Sequence, residues 1–136
     1  MRRLVGERRL IELASEAARL VGEGLPRPER LLDGQPGPLM LLTLLTYFYA
    51  AGIYSSEEIE WACEHDASAR SICETTGPTA ESLRRFRRAN RPWVEACLAW
   101  VCAVACAAPE SSAELNAYVR EKLELAVMID MATADC

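Results

Sequence analysis

The stretch from Gly77 to Pro92 reads GPTAESLRRFRRANRP; it opens on a turn signal and closes on a proline. At about 100° per residue, the segment between them has two different faces. Its arginines fall on one arc: Arg84, Arg85, Arg87, Arg88 and Arg91. Leu83, Phe86 and Ala89 fall on the other side. The pattern predicts a helix that packs one face on a core and presents a basic stripe to solvent.

Thr79 stands where the N-cap of this helix would lie, because its hydroxyl can accept a backbone N–H of the first turn. A short arginine-faced helix after a tight turn is what a helix-turn-helix protein places in the major groove of DNA. We therefore expect Thr79 and the arginines of the stripe to contact double-stranded DNA, mainly at phosphates. The alternative is a solvated charged helix whose arginines pair with Glu81 and Glu95.

Length and charge limit the classes of protein to consider. The chain has 136 residues, about half of them apolar, which is enough for one compact domain over residues 1–136. Fifteen basic and twenty acidic residues give a net charge of −5, so the protein is not expected to coat nucleic acid over its whole surface. A local basic patch on an acidic protein still binds phosphates, with a strong dependence on salt.

Helical periods and capping signals recur along the rest of the chain, and no strand pattern is found. The expected helices cover residues 7–22 and 39–51, a segment capped by Ser55, residues 67–73 capped by Asp66, the arginine stretch, residues 93–108 and residues 113–131. In the helix after Ser55, Ile59, Ala62 and Cys63 point inward, with Trp61 beside them. The prediction is an all-α, compact bundle of five to seven helices with a helix-turn-helix-like segment.

Membrane insertion and secretion are not expected. The apolar run at residues 39–51 is shorter than the roughly 18 residues that a membrane span needs. The charged N-terminal stretch lacks the apolar run of a signal peptide, which favours a cytoplasmic protein with reduced thiols. Its six cysteines are Cys63, Cys73, Cys97, Cys102, Cys106 and Cys136. Three of them lie in the apolar run at 93–108, a setting typical of buried thiols.

Catalytic and metal chemistry have little support in the sequence. His65 is the single histidine, and its spacing from Cys63 and Cys73 matches no zinc pattern. No phosphate loop occurs, and no nucleophile stands with a credible base. We expect no metal, no cofactor and no enzymatic activity.

Two ordered motifs carry a resemblance to a known family. The first is LLTLLTYFYAAGIYSSEEIE at residues 41–60, an apolar helix followed by a glycine turn and a Ser-Ser-Glu start. The second is PTAESLRRFRRANR at residues 78–91. Together they resemble the InsH-like N-terminal domain of bacterial insertion-sequence transposases, over a region from about residue 37 to 104. The helix expected at about 113–131 lies beyond that region.

The resemblance implies a helical domain that recognises the terminal DNA of a mobile element. In that family a catalytic domain with an acidic triad follows, and no such domain is expected in this chain. The resemblance thus implies a stand-alone or repurposed DNA-binding domain. The alternative is a helical protein-interaction module without DNA binding. In it, the helices expected between Trp93 and Ala108 or between Leu115 and Ile129 would form a homo-oligomer such as a dimer.

Overall fold

The structure, a computed structural model, describes residues 6–21, 23, 37–73, 77–105 and 112–134. Within these ranges the chain is helical and has no strand, which confirms the all-α prediction. The helices are α1 (Glu7–Val21), α2 (Pro38–Ala51), α3 (Ser56–His65), α4 (Ala67–Cys73), α5 (Ala80–Ala89), α6 (Arg91–Ala105) and α7 (Ser112–Ala134). The predicted last turn at residues 106–108, and with it Cys106, lies outside the described residues, as does Cys136.

Helix α2 lies at the centre of the core, because it is apolar on all sides. Leu42, Leu44, Leu45 and Tyr49 are buried, and the helix packs against α1 and α6. Complete burial of one such leucine stabilises the fold by about 1.5–3 kcal/mol. Gly52 ends the helix with φ of 89°, and its N–H donates to the carbonyl of Tyr49 at 3.1 Å. Glycine adopts this left-handed backbone without the steric penalty of a side chain.

The three caps predicted from the sequence are confirmed. The Ser55 hydroxyl accepts the backbone N–H three residues later at 3.3 Å, and so begins α3. Asp66 Oδ2 begins α4 in the same way at 3.0 Å, and Thr79 Oγ1 begins α5 at 3.1 Å. Each cap satisfies a backbone donor that the first turn of a helix leaves without a partner. The arginine-bearing helix of the predicted helix-turn-helix-like segment is α5; residues 74–76, which precede Gly77 in the sequence, lie outside the described residues.

Helix α7 is longer than the predicted 113–131 and closes the bundle over α6 and α3. Its inner face consists of Val119, Leu123 and Ala126, which are buried. The opposite side is also partly apolar, with Met128 and Met131 exposed. Part of the apolar surface of α7 is therefore exposed to solvent, because packing against the core buries only one of its faces.

The inward placement of Trp61 is wrong. Its side chain is 59% exposed, while Ile59, Ala62 and Cys63 are buried as predicted. The indole stacks on the imidazole of His65 at a ring-centroid distance of 4.3 Å. His65 is four residues after Trp61, so the two side chains are neighbours on the surface of α3. The indole therefore packs on its own helix and does not enter the core.

Candidate nucleic-acid interface

Helix α5 is fixed to the bundle by one apolar face. Leu83 is completely buried and Phe86 nearly so, as the sequence predicts. At its first turn, the backbone N–H of Ala80 donates to Glu60 Oε1 on α3 at 3.0 Å. A side chain of α3 thus holds the start of α5, and the outward face of α5 has a defined orientation.

The outward face of α5 and the start of α6 carries four arginines. Arg85 and Arg88 are exposed, while Arg84 and Arg91 are half-buried. Thr79 is exposed at the N-cap of the same helix. We call these four arginines together with Thr79 the arginine face.

Three of the four arginines pair with carboxylates in the protein. Arg84 Nη1 contacts Glu57 Oε1 at 2.7 Å, and Arg85 Nη2 contacts Glu81 Oε1 at 3.1 Å. Arg91 Nε contacts Glu95 Oε2 at 2.8 Å, and its Nη2 lies 3.9 Å from Glu124 Oε1. The pairs with Glu81 and Glu95 are those that the solvated-helix alternative predicts. Among the residues that the structure describes, Arg88 makes no ion pair.

The placement of Arg87 on the solvent side of the stripe is wrong. Arg87 is 5% exposed, and its Nη1 donates to Asp130 Oδ2 at 2.7 Å and to the Tyr49 hydroxyl at 3.1 Å. The other partner of Asp130 is Ser56, which donates its N–H to Oδ1 at 2.9 Å and its hydroxyl to Oδ2 at 2.7 Å. We call Tyr49, Ser56, Arg87 and Asp130 the buried network; it joins α2, α3, α5 and α7.

Burial and charge act in opposite directions on the ionisable groups of the buried network. Burial raises the pKa of Tyr49, and the nearby Arg87 guanidinium lowers it by a smaller amount. Burial also lowers the pKa of Arg87, but its interactions with Tyr49 and Asp130 outweigh burial and raise the pKa overall. Arg87 therefore stays charged and Tyr49 stays neutral. Because the Arg87 guanidinium is buried and paired with Asp130, it cannot contact a ligand.

A cleft of about 550 Å³ lies between the arginine face and α7. One wall consists of arginines, and the other is largely apolar with Asp130 at its base. The lining residues are Arg84, Arg87, Arg88, Arg91, Leu123, Val127, Asp130 and Met131. The cleft can receive an anionic group on one side and an apolar group on the other.

The sequence gives little sign of the buried network. In the sequence, Asp130 is an acidic residue within a helical pattern. A helical position does not match the strand-borne acidic triad of the transposase catalytic domain. The usable signal is local, since Asp130 is a charged residue on the apolar C-terminal half of α7. Such a residue needs a buried partner of opposite charge. The periodicity of α5 cannot identify Arg87 as that partner, because it describes one helix at a time.

Within the described part of the chain, no group of three or more His, Cys, Asp or Glu side chains is placed to hold a metal ion. No single described helix is long and apolar enough to cross a membrane; α2 and α3 reach that length only together, across a bend of 105°.

No protein-family model matches the chain, and no curated protein or solved structure shows a significant match to it. The resemblance to the InsH-like domain of transposases therefore stays a prediction that rests on the two sequence motifs.

Proposed function

We propose that the protein is a non-catalytic, cytoplasmic DNA-binding protein that resembles a transposase N-terminal domain. The observation that supports this is the arginine face: Arg84, Arg85 and Arg88 on the side of α5 opposite its buried residues, with Arg91 at the start of α6. Thr79 adds a hydroxyl at the N-terminus of that helix, where the helix dipole also favours a phosphate. The proposed contact set is the predicted one without Arg87.

The existing ion pairs are compatible with phosphate binding. Arg85 and Glu81 are both more than 70% exposed, and an exposed pair of this kind contributes about 0–1 kcal/mol. A DNA phosphate can replace such a carboxylate, and release of counterions from DNA adds a favourable term. Arg88 can bind a phosphate without first losing a carboxylate partner, because it makes no ion pair within the described residues. We therefore expect Arg88 and Arg85 to contribute most to affinity.

The test is the salt dependence of binding to duplex DNA, measured by fluorescence anisotropy from low to physiological salt. Four phosphate contacts give a slope of log affinity against log salt of about −3.6. Replacing Arg85, Arg88 and Arg91 with Gln leaves one contact and flattens the slope to about −0.9.

A matched control changes the same net charge elsewhere. Gln at Arg8, Arg9 and Arg70, on α1 and α4, removes three exposed positive charges outside the arginine face. This control lowers affinity slightly and leaves the slope unchanged. Equal slopes for the two triple variants, or no binding by the wild-type protein at low salt, would exclude the arginine face as a DNA site.

A second candidate function is self-association or partner binding through α7. The observation that favours it is the exposed apolar surface on α7, made by Leu125, Met128 and Met131. The predicted contact face at Leu115 to Ile129 needs adjustment, because Val119 and Leu123 are buried within the protein itself. Sedimentation velocity over a range of protein concentrations tests it: a concentration-dependent dimer supports it, and a monomer at every concentration excludes the homo-oligomer.

A further inference from the structure

Two cysteines lie in contact where α3 and α4 meet. Cys63 is in the last turn of α3, and Cys73 is the last residue of α4. Their sulfur atoms are 3.1 Å apart, and both residues are free thiols with 7% exposure. A disulfide has a sulfur–sulfur distance of about 2.05 Å, so the two thiols need to approach by only about 1 Å to form one.

The surroundings hold these two side chains in place. A single residue, Asp66, separates α3 from α4, so the two helices form a tight unit. On the other side of Cys63 lies Gly77, where a side-chain carbon would come within 2.9 Å of Cys63 Cβ. Cys63 is thus packed between α4 and the residues that lead into α5, and its sulfur faces Cys73.

We propose that Cys63 and Cys73 are a redox-active pair that a peroxide converts reversibly into an intramolecular disulfide joining α3 to α4. This proposal is independent of DNA binding, because it rests on the sulfur positions alone. In a reducing cytoplasm the ground state is the dithiol, and disulfides that form there are typically transient and redox-sensing. The thiol of Cys97, on α6, donates instead to the backbone carbonyl of Ala17 at 3.6 Å.

The hydrogen bond between the two thiols, in which Cys73 Sγ donates to Cys63 Sγ at 3.1 Å, holds the sulfurs in position for two successive steps. In the first step, the thiolate of one of the two cysteines attacks one oxygen of hydrogen peroxide. The O–O bond breaks, that cysteine becomes a sulfenic acid, and the departing hydroxide takes up a proton as water.

The second step forms the disulfide. The sulfur of the other cysteine attacks the sulfur of the sulfenic acid, and the S–O bond breaks. The departing hydroxide takes the proton of the attacking thiol and leaves as a second water, so two thiols and one peroxide give one disulfide and two waters. The product closes a short loop, which raises Tm by roughly 5–10 °C over the reduced protein.

The experiment treats the reduced, folded full chain with one equivalent of hydrogen peroxide and then blocks the remaining thiols with N-ethylmaleimide in denaturant. Before blocking, we expect an intact mass lower by two hydrogens. After blocking, we expect two fewer blocked thiols and a peptide map that joins Cys63 to Cys73. Dithiothreitol restores both thiols. A disulfide that maps to any other pair, or irreversible oxidation without the joined peptide, overturns the proposal.

Single variants test the two steps. Cys63→Ser and Cys73→Ser each prevent the disulfide, and the variant that keeps the attacking cysteine holds a sulfenic acid that dimedone labels. Cys97→Ser, which removes another buried thiol, is the matched control and still gives the joined peptide. If neither variant shows a sulfenic acid while the wild-type protein forms the disulfide, the two-step mechanism is overturned.

Discussion

Substitution Asp130→Ala tests the most consequential contact in the fold. Asp130 is 1% exposed and accepts hydrogen bonds from Arg87 and from both the N–H and the hydroxyl of Ser56. Alanine removes both acceptor oxygens, and with them three hydrogen bonds, and leaves the Arg87 guanidinium buried with the Tyr49 hydroxyl as its remaining partner in the buried network. We expect a large loss of stability with no change in helix content at low temperature.

The magnitude follows from the burial of both partners. Breaking a buried ion pair by removing one member costs about 3–5 kcal/mol, because the other charge is left uncompensated. A domain of this size has a total stability of about 5–15 kcal/mol, so the loss is a large share of it. The matched control is Arg85→Ala, which breaks the exposed pair with Glu81 and costs about 0–1 kcal/mol.

Urea unfolding followed by circular dichroism gives these free energies. Replacing both partners, Arg87→Met with Asp130→Leu, removes both charges and leaves Ser56 and the Tyr49 hydroxyl with lost hydrogen bonds, at about 1–3 kcal/mol. The double variant is therefore more stable than Arg87→Met or Asp130→Leu alone, and the double-mutant cycle gives a strong coupling. If Asp130→Ala costs under about 1 kcal/mol, or if the two single effects simply add, the pair is not buried and coupled as described.

Three further outcomes are expected. Leu83→Ala lowers the free energy of unfolding by about 2–5 kcal/mol in urea titrations, because Leu83 is completely buried. Gly77→Ala lowers it by about 1–3 kcal/mol, because the new side chain meets Cys63 Cβ at 2.9 Å; a wild-type unfolding midpoint would contradict this. Burial raises the pKa of Cys97 from 9.0 to about 11, so its neutral thiol stabilises the fold below pH 9 and this contribution is lost as pH rises towards 11. The wild-type protein should lose more stability than Cys97→Ala across that interval, and equal losses would argue against a buried thiol.

Most of the fold follows from local signals in the sequence. The caps at Ser55, Asp66 and Thr79 depend on residues three positions away, and the apolar face at Leu83 and Phe86 depends on a helical period. Both are properties of one segment, so the sequence alone determines where these helices begin and which side they bury.

The position of Arg87 could not be predicted in the same way. At about 100° per residue, Arg87 lies at the edge of the arginine arc, and the contact with Asp130 of α7 accounts for its burial. Trp61 shows the opposite case, since a large apolar ring adjacent to core residues in sequence lies outside and stacks on His65. In both cases, burial of the side chain depends on whether another helix packs over that face of its own helix. The sequence of a single segment does not contain this information.

A pair of charge insertions on α7 separates the two candidate functions. Met131 lines the cleft beside the arginine face, whereas the exposed Met128 does not line it. In Met131→Glu the new carboxylate competes with DNA for the nearby Arg88, so affinity falls and the salt slope flattens by about 0.9. Met128→Glu adds the same charge outside the cleft and leaves the slope unchanged. If both variants instead dissociate a dimer and affect DNA binding equally, the apolar surface of α7 is the functional contact and the arginine face is only a solvated surface.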